Sequence, residues 1–90
     1  MATRRGEPRH SKTTKATRRY QRVAVGLGAR VRDVRVEQEL TLERAAERMG
    51  LDWKHLQKVE SGAVNVTLVT LLRIADGLHV SIADLFRGVE

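Results

Sequence analysis

The sequence predicts an all-α fold: a compact five-helix domain behind a disordered basic N-terminal arm. Three observations carry this. Apolar residues from Leu27 onward recur at helical spacing; the capping residues Thr41, Asp52, Thr67 and Ser81 and the glycines Gly50, Gly62 and Gly77 break the chain into short segments; and no alternating strand pattern remains once those segments are assigned. Ninety residues suit one small domain, with no internal repeat.

Taken in order, residues 1–22 form the arm. They are rich in Thr, Arg and Lys, hold the single proline, Pro8, and have almost no aliphatic residues. Such a segment buries too little apolar surface to offset the entropy of ordering, so flexibility is expected. The domain is expected over 23–90. Leu27, Val31 and Val34 define an amphipathic first helix running to about Glu39, with Gly26 and Gly28 leaving its start open. Thr41 caps a second helix, "LERAAERM", stopped by Gly50. Asp52 caps a third, from Trp53 to about Ser61, stopped by Gly62. Leu68, Leu71, Leu72 and Ala75 suggest a fourth behind Thr67, closing near Gly77, and Ser81 introduces a short fifth, "IADLF".

Charge is unevenly placed. Residues 1–22 hold eight Lys/Arg and one acid, and residues 23–90 hold nine and ten, so the net +6 divides into +7 on the arm and −1 on the domain. A cationic segment of this kind favours nucleic-acid phosphates. The absence of cysteine leaves no disulfide or thiolate-metal framework and fits a reducing cytoplasm. Nothing approaches the roughly 20 apolar residues of a membrane span, and the basic N-terminus lacks the apolar region of a secretory signal. His10, His55 and His79 have no second ligand at metal-binding spacing, so no metal or other cofactor is assigned. With no Gly-rich phosphate loop and no nucleophile beside a base, the chain is not expected to be an enzyme.

The third helix carries the functional signal. Advancing about 100° per residue puts Leu56 and Val59 on one side, with Asp52 and Ala63 near the ends of that inward stripe. Lys54, Gln57, Lys58 and Ser61 cluster opposite, flanked by Trp53 and His55: a donor-rich face without an acid. Ala45 and Ala46 are small where two helices must cross, Gly50 can take the left-handed turn, and Met49, Leu51, Leu56 and Val59 fill the angle between the helices. Together these make a helix-turn-helix signature.

From Leu27 to Phe86, and most of all in "LTLERAAERMGLDWKHLQKVESGAVNVTLVTLLRIADGLHVSIADLF", the sequence resembles the phage repressor and Cro-like (Xre-type) helix-turn-helix family. The resemblance includes Glu60 and Gly62 at the end of the recognition helix, Asn65 after it, and the "TLLRIADGLHVS" helix and turn. It implies a five-helix domain that binds operator DNA as a symmetric dimer, with Trp53, Lys54, Gln57 and Lys58 at positions that touch bases or nearby phosphates. It also implies a buried Arg35–Glu60 ion pair joining the first helix to the third. Leu42, Val66 and Trp53 depart from the family pattern, standing where a glutamine, a proline and a polar residue are common. The Trp53 ring has three open roles: stacking on sugar, meeting a thymine methyl, or packing on protein.

The expected function is a sequence-specific DNA-binding transcriptional regulator, a repressor or autoregulator, acting in the cytoplasm as a homodimer on an inverted-repeat operator in double-stranded DNA. The expected contacts are Thr41, Trp53, Lys54, His55, Gln57, Lys58, Ser61 and Asn65, with Arg18, Arg19 and Arg22 of the arm on the backbone. The alternative is an antitoxin-like or adaptor module that binds a protein partner through the Trp53 surface. Val66, Val69, Ile82, Leu85 and Phe86 are the candidate dimer contacts, with ordinary core as the alternative for several of them.

Overall fold

The computed structural model describes residues 15–90 and contains five helices: α1 (Lys15–Glu37), α2 (Leu42–Met49), α3 (Trp53–Ser61), α4 (Leu68–Leu78) and α5 (Ile82–Leu85). The expected segmentation is met closely from α2 onward. Thr41, Asp52, Thr67 and Ser81 each precede a helix, and each side chain accepts a hydrogen bond from a first-turn amide: those of Arg44, Lys54, Thr70 and Asp84. These caps satisfy donors that have no partner inside the helix.

Two expectations about α1 need correction. Residues 15–22, assigned to the flexible arm, form the first two turns of α1, and only residues 1–14 of the arm lie outside the described residues. The reason is tertiary. The Tyr20 hydroxyl donates to the Val64 carbonyl at 3.1 Å, and Arg19 makes a two-pronged ion pair with Glu90 at 2.6 and 2.7 Å. At its other end α1 stops at Glu37 rather than near Glu39, because Glu39 turns left-handed at φ 60°. There the Leu40 amide donates to the Arg35 carbonyl, and the Gln38 side chain donates to the Leu78 carbonyl at 2.7 Å.

The core lies where these helices converge. Val31, Ala45, Leu56, Ile74, Leu78 and Leu85 are wholly buried, joined by Leu27, Val34, Ala46, Met49, Val59 and Ala75. α1 packs along α3, while α2 packs on both α3 and α4. Burial of a Leu or Val side chain contributes about 1.5–3 kcal/mol, so α3 is fixed mainly by Leu56 and Val59. Asp52 and Ala63, expected near the ends of that stripe, are exposed, since both lie outside the helix proper.

α4 is apolar over more of its circumference than the core can cover. Its inward face is Leu71, Ile74, Ala75 and Leu78; Leu68 and Leu72, expected on the buried stripe, remain 67% and 47% exposed, next to Val69 at 60%. At about 100° per residue these three fall on the flank turned away from the core. Of the candidate dimer contacts, Leu85 takes the core alternative: the short α5 turns it inward and it is wholly buried.

Candidate nucleic-acid interface

The corner between α2 and α3 is set by backbone chemistry. Gly50 adopts φ 70°, a region that costs a side-chain-bearing residue energy, and the Leu51 amide then closes on the Ala46 carbonyl at 2.9 Å. The same closure follows α3, where the Ala63 amide donates to the Lys58 carbonyl at 2.9 Å. α3 is thereby a two-turn rod with both ends fixed and one face buried.

α1 approaches the back of that rod unusually closely. A Cβ placed on Gly28 would lie 2.3 Å from the Val59 carbonyl oxygen and 2.5 Å from that of Glu60, so a hydrogen is all this crossing admits. Further along α1, Arg35 reaches Glu60 through two hydrogen bonds of 2.7 and 3.1 Å and also donates to the Leu40 carbonyl at 2.8 Å. The two side chains are 11% and 7% exposed, which matches the ion pair the family resemblance implied. One guanidinium therefore joins α1, the turn that leads into α2 and the end of α3. Its net stability is modest because both charges lose water, whereas its geometry restricts the tilt of α3.

With Leu56 and Val59 inward, Trp53, Lys54, Gln57, Lys58 and Ser61 are exposed, and His55 is half-buried on the flank. The Lys54 ammonium sits 5.8 Å from the centre of the Trp53 ring, a cation-π distance, and Trp53 is 37% exposed. The Ser61 hydroxyl is already used, donating to the Lys58 carbonyl at 2.9 Å, and Thr41 is occupied as the cap of α2. Asn65 is exposed in the loop after α3. The face is thus built from lysine ammonium groups, one free amide and one aromatic edge, and the one acid within α3, Glu60, is neutralised from behind by Arg35.

Arg18, Arg19 and Arg22 lie exposed on the first turns of α1. Arg19 is committed to Glu90; this hydrogen bond raises the guanidinium pKa above its usual value and holds the Glu90 carboxyl below the ordinary carboxylate range. Arg18 and Arg22 line an open groove of about 440 Å³ with Gln21 and Val25. A second cleft, of about 350 Å³, lies beside the α3 face and is lined by Arg32, Arg35, Leu42, Gln57, Glu60 and Ser61. Arg32 was not singled out in the sequence; its spacing of three residues before Arg35 is the signal that puts it on the side of the ion pair.

Comparison with known proteins agrees with this architecture. The family described as "Helix-turn-helix domain" matches residues 26–86. The control protein C.MunI of a Mycoplasma species is 30% identical over 69 residues, which span 76% of this chain and 93% of that relative. Among solved structures, the restriction-modification controller protein C.AhdI from Aeromonas hydrophila superimposes with a TM-score of 0.69 at 36% identity, covering 70% of this chain and 96% of that one. A point mutant of the restriction-modification controller protein C.Esp1396I also gives 0.69, at 25% identity, covering 74% and 85%. The chain belongs to the helix-turn-helix domain family, in the Xre/Cro-like class of DNA-binding regulators that contains the restriction-modification controller proteins.

Proposed function

We propose that this chain is a transcriptional controller that reads an inverted-repeat operator in double-stranded DNA as a homodimer, inserting α3 of each subunit into the major groove. The observation that carries the reading is the division of α3 into two faces: Leu56 and Val59 hold it in the core while Lys54, Gln57 and Lys58 stand clear of the protein. Gln57 can pair with both major-groove atoms of an adenine, and the lysines can meet guanine acceptors or phosphates. Trp53 takes the edge of the contact. Its apolar ring suits a thymine methyl or a sugar.

The exposed Leu68, Val69 and Leu72 on α4 supply the dimer face, supplemented by the half-buried Val66, Ile82 and Phe86. Two copies joined this way present their reading helices about 34 Å apart, the spacing of half-sites one duplex turn away. The relatives' role as restriction-modification controllers supports a target among the genes of such a system, acting as repressor or autoregulator in the cytoplasm. Arg18, Arg22 and the preceding basic residues add backbone attraction.

Selection of bound sequences from a random duplex pool tests the proposal, together with the stoichiometry of the complex in solution. A palindromic consensus bound by two chains is the expected outcome. A pool that returns no consensus, or a complex built from one chain, refutes it.

A further inference from the structure

Beside the reading face, the cleft between α1, the start of α2 and the end of α3 has one uncommitted charge. Arg35 is spent on Glu60 and the Leu40 carbonyl, and Glu60 is spent on Arg35, so their charges cancel. The Leu42 side chain is apolar, and the Ser61 hydroxyl donates to the Lys58 carbonyl. Arg32 remains. It is exposed, has no hydrogen bond or ion pair to the described residues, and shares the cleft with Gln57. A strongly basic, planar donor beside the major-groove face is matched to a phosphate of the DNA strand that borders the groove.

We infer that Arg32 is a phosphate-contacting residue: it clamps one backbone phosphate per half-site, on the strand beside the groove that Gln57 reads. This rests on the reading of α3 as a major-groove helix and adds to it a contact from α1. The neutral Arg35–Glu60 pair, the apolar Leu42 side chain and the uncharged Gln57 line the cleft with Arg32, so Arg32 carries its one uncancelled charge. A phosphate contact fixes orientation and carries no base preference of its own.

The test compares the full chain with Arg32→Gln and Arg32→Lys, using a duplex from the selected pool and a random duplex, each titrated across a potassium chloride series. The expected result for Arg32→Gln is a log-log salt slope shallower by about 0.9 per subunit on both duplexes, because one fewer counterion is released per lost phosphate contact. The ratio of the two affinities stays as in the parent chain, and Arg32→Lys restores the slope. Replacing single linkages by neutral methylphosphonates should identify one phosphate per half-site whose neutralisation weakens the parent chain and leaves Arg32→Gln unaffected. An unchanged slope overturns the clamp, as does a changed affinity ratio at constant slope, which makes Arg32 a base reader. A parent chain without operator preference sinks the major-groove reading instead, while the slope on random duplex still decides Arg32. Matched thermal melts check that the exposed substitution leaves the fold intact.

Discussion

Replacing Gly28 by alanine separates helix propensity from packing because the two act in opposite directions. Inside a helix, Gly→Ala gains about 1 kcal/mol. Here the new Cβ would sit 2.3 Å from a carbonyl oxygen of α3, short by 1.1 Å of the 3.4 Å at which ordinary contact begins, and the obstructing atoms are backbone. α1 must therefore back away from α3. A gap of 0.5–1 Å forfeits roughly a quarter to a half of each dispersion contact. The layer affected includes Leu27, Val31, Leu56 and Val59, each contributing about 1.5–3 kcal/mol by burial, so the loss spans about 1.5–6 kcal/mol with its centre at about 3–4, and the central net destabilisation is about 2–3 kcal/mol. For a domain of this size that lowers Tm by about 10–20 °C. The assay is thermal and urea unfolding followed by circular dichroism at one fixed protein concentration, which keeps any self-association constant across the variants. Ala29→Gly, at an exposed neighbouring position, calibrates propensity alone at about 1 kcal/mol. A Gly28→Ala chain as stable as the parent, or more so, refutes the close crossing.

Glu60→Gln leaves the Arg35 guanidinium nearly buried and unpaired, and is expected to cost about 3–5 kcal/mol in urea unfolding; joint replacement of Arg35 and Glu60 by methionine and leucine should recover most of it. Leu68→Lys combined with Leu72→Lys puts like charges on the exposed flank of α4, so sedimentation should report a folded monomer that has lost cooperative operator binding. Gln57→Ala and Lys54→Ala should each reduce discrimination between selected and random duplex by about 1–3 kcal/mol, measured by competition binding. Because Glu90 titrates below its ordinary value of 4.5, its tie to Arg19 is intact above that pH and is released as pH falls through the lowered midpoint; carboxyl NMR should show that midpoint rising in Arg19→Ala. The effect on global stability is small, since the pair is exposed.

The four capped helices were legible because each cap is a local event: a hydroxyl or carboxylate, two or three residues, one amide. The exposed face of α3 was legible for the same reason, since Leu56 and Val59 fix the rotation of α3 through spacing alone. What escaped depends on contacts distant in sequence. The first turns of α1 lack an apolar stripe and are polar by composition, yet Tyr20 and Arg19 find partners 44 and 71 residues away. Leu68 and Leu85 are both leucines on short helices, and only the packing of α4 and α5 decides that the first faces out and the second in. Arg32 was hidden differently: its meaning comes from a cleft shared by three helices.

The exposed side chains of α3 contribute almost nothing to the interior. Leu56 and Val59 lock the rod, and the guanidinium of Arg35 sets its pitch, all from the rear. Exchanging Lys54, Gln57 or Lys58 therefore leaves the scaffold's folding free energy nearly untouched. Operator preference can drift or be reprogrammed on this frame one letter at a time, with the hydrophobic centre acting as an indifferent handle.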